Sequence, residues 1–404
     1  MTEKNTTNSM QKDVLTSVTI VRDVIEDEDF EQEDTHLQKP FDVDRISIMI
    51  RQPTIDNLMK RLKSDPQEID LRSEFQREAG LWSLKQKSRL IESLLLRIPL
   101  PAFYFDGTND DKWLVVDGLQ RLSVFDEFMG NKPTLALQGL EYLQEYEGFT
   151  YQMLPRKMQR RIEETQVTAY VIQPGTPPDV KFNIFKRINT GGLPLSAQEI
   201  RNALHQGQPA RYLRELSKME AFQKIFGAID TSRQGDQEFV LRFVAFYLTD
   251  YQKYEPDMDD FLNNGMEKIA SMSKSELEVC KMHFDLAMKR ASELFGDKAF
   301  RKVYYQPDTG KIRRCPINRP LFDAWSHILS GMGEANYQKL LQKKSRLLKN
   351  FMQMLENDKR FVRSITTATG GADEVRVRFQ KIEKLVAEVI DDDIETGAES
   401  FQVL

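Results

Sequence analysis

Asp117-Gly118-Leu119-Gln120-Arg121 gathers the residue types that can hold a phosphate group and act on it. Asp117 supplies a carboxylate able to orient a water or to hold Mg²⁺ on phosphate oxygens. Gly118 lets the backbone turn sharply, and Gln120 and Arg121 offer an amide and a guanidinium, the latter suited to two-pronged phosphate contact. A strand and a helix must place them. Trp113-Leu114-Val115-Val116 reads as a buried strand, and Leu122, Phe125 and Phe128 recur behind it at helical spacing. A helix start leaves N–H groups unpaired and carries the positive end of the helix dipole, which together attract anions. An ordinary strand-to-helix turn with a solvated arginine has the same local pattern, so the motif alone leaves both open.

Two further segments end in similar polar clusters. Ile69-Asp70-Leu71-Arg72-Ser73-Glu74-Phe75-Gln76-Arg77 is closed by Trp82, and a capping box from Ser83 to Gln86 starts the next helix. That helix carries Leu90, Ile91, Leu94 and Leu95, ends before Pro99 and Pro101, and leads to a strand, Phe103-Tyr104-Phe105. Downstream, a helix bearing Phe182, Phe185 and Ile188 runs into Arg187-Ile188-Asn189-Thr190-Gly191-Gly192. A second capping box, Ser196 to Glu199, opens a helix with Arg201 and Asn202. In this arrangement Gln76 and Arg77 close a pocket opposite Asp117, and Arg187, Asn189 and Glu199 form its third wall. The structural alternative pairs Arg77 with Glu78 and Arg187 with Glu199 as salt bridges.

In this order, Phe-Gln-Arg…Trp, Ile-Pro-Leu-Pro, Asp-Gly-x-Gln-Arg-Leu, Phe-x-Arg-Ile-Asn-Thr-Gly-Gly and Leu-Ser-x-x-Glu-Ile-Arg resemble a known family. It is the GmrS-like N-terminal half of GmrSD modification-dependent restriction enzymes, in the ParB/sulfiredoxin-like superfamily. The resemblance covers about Ile48 to Leu204, and Asp358–Phe379 resembles the tail that often follows. Leu119 departs from it, standing where the family usually has a second glutamine. The resemblance implies an α+β protein, a ParB/sulfiredoxin-like nucleotide-binding domain followed by a mainly α-helical domain. It implies binding and hydrolysis of a nucleoside triphosphate with Mg²⁺, in a prokaryotic or phage-related DNA restriction or defence system. Asp117, Gln120, Arg121 and Arg77 are then catalytic, with Asp117 toward the metal. Gly118, Gln76, Arg187, Asn189 and Glu199 bind nucleotide. DNA is the expected partner, with room for a partner nuclease and a homo-oligomer. A nucleotide-gated DNA-binding protein without catalysis, a ParB-like nuclease and a phosphotransferase stay open as alternatives.

Composition agrees with an ordinary globular protein: 404 residues, 40% hydrophobic and 29% charged. No apolar run approaches the roughly 20 residues that cross a bilayer. Met1 to Asn5 leads into no apolar stretch, and only Cys280 and Cys315 occur, so the cytoplasm is the expected home. Net charge is −5, and Asp23–Asp34 holds eight acids and no base. Such an arm either mimics nucleic acid over a basic groove or merely keeps the chain soluble. The pattern divides into an acidic arm (1–40), the nucleotide-binding domain (41–204), an α-helical domain (205–390) and an acidic tail (391–404).

The helical half is expected to contain helices over Ala210–Met219, Glu238–Leu248, Glu276–Phe295, Arg319–Leu329 and Tyr337–Glu356, with one strand-like run, Val303-Tyr304-Tyr305. Its basic residues cluster at Lys311, Arg313 and Arg314, at 339–349, at 359–363, and at Arg376 and Arg378. Lys339, Lys343 and Arg346 are spaced to share one helix face, where DNA phosphates could dock. A solvated surface is the plain alternative. His36, His205, His283 and His327 are too scattered for a compact histidine nuclease, and no zinc or Walker-type spacing occurs.

Overall fold

The structure, a computed structural model, describes residues 47–70, 82–109, 111–130, 133–188, 196–227, 234–308 and 310–391. The acidic arm, Gln76, Arg77, Asn189 and the tail from residue 392 onward lie outside the described residues.

The first part of the chain builds a five-stranded sheet from β1 (Ile48–Arg51), β2 (Ile69–Asp70), β3 (Phe103–Asp106), β4 (Trp113–Asp117) and β5 (Ala169–Ile172). The strand order is β1-β5-β3-β4-β2. β3 runs parallel to β5 and antiparallel to β4, and β4 runs parallel to β2. Alternation along each strand gives the sheet two faces. Phe103, Phe105, Trp113, Val115, Ala169 and Val171 enter one apolar core. That core is covered by α1 (Ile55–Lys63), α2 (Leu84–Leu95), α3 (Leu119–Met129) and α4 (Arg156–Glu163), through residues such as Leu58, Ile91, Phe125 and Ile162. Val116 and Ile172, with Tyr104 partly buried beside them, turn to the other face and meet Phe182 and Phe185 of α5 (Pro178–Ile188) and Ile200 of α6 (Ala197–Leu204).

The rest is helical, as its sequence suggests. α7 (Gln208–Ser217), α8 (Glu220–Phe226), α9 (Gly235–Leu248), α10 (Met258–Ser271) and α11 (Lys274–Phe295) lead to a hairpin, β6 (Arg301–Gln306) and β7 (Lys311–Ile317). α12 (Arg319–Gly331), α13 (Glu334–Gln342), α14 (Lys344–Asn357), α15 (Lys359–Thr366) and α16 (Ala372–Asp391) follow. A large core, rich in phenylalanine, joins them, with the Phe239 and Phe322 rings edge-on at 5.0 Å. Within it sits a sealed ionic cluster. Arg242 donates twice to Asp323 at 2.8 Å and Arg378 once at 2.9 Å, all three side chains being buried. A buried charge of this kind persists only when paired.

The expected Tyr337–Glu356 helix is two helices, because the chain breaks at Lys343 (φ −101°, ψ 20°). Lys339, Lys343 and Arg346 therefore do not share one helix face. The Lys343 ammonium instead donates to Ile390 O at 3.2 Å, at the C-terminal end of α16, where a cation meets the negative end of the dipole. β7 pairs antiparallel with β6, so the isolated strand signal at 303–305 belongs to a two-stranded ribbon.

Candidate functional site

The site begins with a backbone requirement. Gly118 sits at φ +106°, and a Cβ there would overlap the Phe103 ring. Only glycine takes this conformation without strain. The turn delivers the chain from β4 directly into α3, and Gly118 as N-cap offers no side chain to close it. The first-turn N–H groups of α3 consequently lack both intrahelical partners and a side-chain cap, which leaves a positive, donor-rich end.

Two polar side-chain atoms on α3 add to this. Gln120 Oε1 and Ser123 Oγ are both buried without a hydrogen-bond partner among the described residues. Buried polar atoms are nearly always paired, so these two leave unused hydrogen-bonding capacity in the first turns of α3. Asp117, whose side chain is 37% exposed, stands at the other side of the turn.

Arg121 is not the solvent-facing guanidinium that the spacing suggests. It is 7% exposed. Its Nη1 donates to Pro101 O, and its Nη2 to Ala102 O and Asp117 Oδ2, each at 3.0 Å. The guanidinium also lies over the Phe103 ring, 4.3 Å from its centroid. Burial lowers its pKa, with Asp117 and Tyr104 opposing that shift. Arg121 thus ties the Pro101–Ala102 segment, Phe103 and Asp117 into one unit.

Next to Asp117 is a pair of residues that the sequence reading did not single out. Tyr104 pairs in register with Asp117 on one side and Tyr170 on the other, and the two phenol rings stack at 5.0 Å. Burial raises the Tyr104 pKa, with Tyr170 and Asp117 adding to the shift, so the hydroxyl keeps its proton as a donor. The signal was present: in Phe-Tyr-Phe, period-two alternation puts Tyr104 on the face opposite its neighbours.

Of the residues expected to form a third wall, Arg187 and Glu199 are described, and the contacts identified for them do not reach the Asp117–Arg121 turn. Arg187 is exposed in the last turn of α5. Glu199 is 1% exposed, and its carboxylate accepts from Ser196 N at 2.6 Å, completing the expected capping box. Both helices are pinned to α10. Lys186 donates to Asp259 at 2.7 Å, and the buried Arg201 contacts the same carboxylate and Asn263 at 3.2 Å. Burial alone would raise the Asp259 pKa, but Arg201 and Lys186 outweigh it and hold the carboxyl below its usual range.

Another cluster lies further along the same face of the sheet. Lys181 of α5 donates to Asp106 Oδ2 at 3.3 Å and to Thr108 Oγ1 at 3.1 Å. His205, just beyond α6, has its pKa lowered to about 4 by burial and by the charges of Arg201 and Lys181.

Among the described residues, no three or more histidine, cysteine or acidic side chains converge as a metal cage. Mg²⁺ commonly takes one or two carboxylates and completes its shell with substrate phosphates and water. Asp117, half-exposed beside an anion-attracting helix end, fits that shared mode and not a dedicated protein site. No helix among the described residues is long and apolar enough to cross a membrane.

Residues 55–206 match the family described as GmrSD restriction endonuclease, N-terminal domain. The matched segment contains the whole β4–α3 turn and both capping boxes. No curated protein and no solved structure matches the chain.

Proposed function

We propose that this protein binds a nucleoside triphosphate at the Gly118 turn and hydrolyses it, as the nucleotide-driven component of a DNA restriction or defence system. The observation that carries the reading is the open end of α3, uncapped at Gly118 and flanked by the half-exposed Asp117. Phosphate oxygens are received by the first-turn N–H groups of Leu119, Gln120 and Arg121. The Gln120 amide, whose Oε1 has no partner among the described residues, reorients to donate. Mg²⁺ brought in on the phosphates would neutralise part of their charge, with Asp117 as its protein ligand. Asp117 orients the attacking water or takes one position on the metal. Tyr104 contributes a protonated hydroxyl beside it. Arg121 acts by holding Asp117 and the Pro101–Ala102 segment in place. Arg187 offers a guanidinium from the last turn of α5 and Glu199 fixes the start of α6, while Gln76, Arg77 and Asn189 carry the nucleotide-contacting role that the motif resemblance implies. Phosphoryl transfer needs mainly positioning and charge neutralisation, and this set supplies both. The ParB/sulfiredoxin-like assignment of the sheet domain and DNA as the partner are part of this reading.

A non-catalytic nucleotide gate is the second reading. It draws on the joint at Asp259, through which α5 and α6 both grip the helical half. Steady-state phosphate release from the purified protein with Mg²⁺ decides between them. Turnover that falls on the order of 10²–10³-fold in Asp117→Ala, at an unchanged melting temperature, supports hydrolysis at this turn. Wild-type turnover in the variant removes Asp117 from the chemistry, and tight binding without turnover in the wild type selects the gate.

A further inference from the structure

The hairpin β6–β7 is the least explained feature of the helical half. Residues 301–317 contain five bases, Arg301, Lys302, Lys311, Arg313 and Arg314, against one acid, Asp308, in a chain whose net charge is −5. β6 rests on α14, while β7 has β6 as its main neighbour and is largely exposed. In register, Tyr304 stands opposite Arg313 and Gln306 opposite Lys311. Alternation places these four side chains on one face of the ribbon, with Gln306, Lys311 and Arg313 exposed. The other face turns Val303 into the core and leaves Tyr305 52% exposed near the tip.

Several bases of the other clusters are engaged in the fold. Arg378 is sealed on Asp323, Arg376 pairs with Asp373 at 3.3 Å, and Arg363 lies 3.9 Å from Glu374. Lys343 donates to the end of α16. In the ribbon, the exposed Arg313 side chain has no ion pair or hydrogen bond among the described residues.

We propose that the β6–β7 ribbon is a duplex-DNA reader, with its Gln306–Lys311–Arg313 face entering the major groove. Strands lie about 4.8 Å apart, and a major groove about 12 Å wide admits a two-stranded ribbon with its side chains. Arginine and lysine match the acceptor pair on guanine, and glutamine matches the adenine edge. Tyr305 at the tip offers an aromatic face for the backbone or a base. The charge is complementary to phosphate, and its concentration on one ribbon in an acidic chain favours a polyanion over a neutral partner. This rests on DNA as the partner and does not require nucleotide turnover at Asp117.

The test is fluorescence anisotropy of a labelled duplex against the full chain over a salt titration. Lys311→Gln/Arg313→Gln should weaken binding at least about tenfold at low salt and reduce the log–log salt slope by about 2. Lys311→Arg/Arg313→Lys, which keeps the charge, should retain the slope. Lys339→Gln/Lys349→Gln should leave binding unchanged, and phosphate release without DNA should be equal in all variants. A wild type that binds DNA while the Gln pair binds with the same affinity and slope overturns the ribbon assignment. A wild type that does not bind DNA at low salt overturns the DNA reading itself, with whatever else the ribbon contacts. A melting temperature matching the wild type shows that the loss is not unfolding.

Discussion

Arg121, in the first turn of α3, and Arg201, in the last turn of α6, are two buried arginines, each beside an aspartate and each over a phenylalanine ring. Arg121 lies 4.3 Å from the Phe103 centroid and contacts Asp117, and Arg201 lies 5.0 Å from the Phe182 centroid and contacts Asp259. The N-terminal ends of these two helices differ. α6 opens with a complete Ser196–Glu199 capping box, so its first donors are met within the chain. α3 opens from Gly118 with no side-chain cap, and two buried polar atoms nearby lack partners among the described residues. One end is capped by its own residues, and the other, in the proposed reading, receives the phosphates. The same residue type therefore performs a joining role in α6 and a site-building role in α3.

Removing either arginine should have the largest effect on stability. Each leaves buried acceptors or a carboxylate without a partner, and breaking a buried pair from one side costs about 3–5 kcal/mol. Arg201→Ala should lower stability toward that range while the α3 end keeps its nucleotide affinity. Arg121→Ala should lower both, because Asp117 and the Pro101–Ala102 segment lose their tie. Chemical denaturation and nucleotide titration of the two variants measure the difference. Equal nucleotide affinity in both would erase the distinction between the two arginines.

A smaller effect is expected at His205, beside Arg201. Its folded pKa of about 4 lies below the ordinary histidine value near 6.5. The unfolded chain then takes up this proton first as pH falls, so the histidine's contribution is complete above about pH 6.5 and is lost toward about pH 4. After allowance for partial exposure, the change is about 2 kcal/mol. Melting temperatures of wild type and His205→Gln across that window should converge as pH falls. Parallel curves would show that His205 titrates normally.

What was legible in the sequence was local. The Trp113–Val116 strand, the helix after it and both capping boxes follow from neighbours a few residues apart, and all are present. The orientation of Arg121 was not legible, because two of its acceptors lie 19 and 20 residues away on the backbone of Ala102 and Pro101. β7 was missed because Lys-Ile-Arg-Arg-Cys-Pro lacks the apolar alternation of a half-buried strand; its order comes from β6. The break at Lys343 was hidden by apolar spacing that runs straight through it, with Tyr337, Leu340, Leu347 and Phe351 all buried. Of the candidate site, the Asp117–Gly118 turn was readable, whereas the Tyr104–Tyr170 pair and Ser123 needed the sheet and the helix packing.

The uncapped end of α3 is the central claim, and Gln120→Glu tests it most directly. Gln120 occupies the second helical position, where a carboxylate favours the dipole by about 0.3–1 kcal/mol. The Gln120 oxygen is buried in the free protein, so the new carboxylate avoids a desolvation cost by turning out toward the open helix end, where it favours the dipole. A phosphate bound there would be repelled by the same charge. The measurement is calorimetric titration of Mg²⁺–nucleoside triphosphate into wild type and variant, with melting curves alongside. The account predicts a melting temperature equal to or above wild type and an affinity reduced at least about tenfold, or about 1.4 kcal/mol. Wild-type affinity in Gln120→Glu would place the phosphates elsewhere and contradict the assignment of this turn.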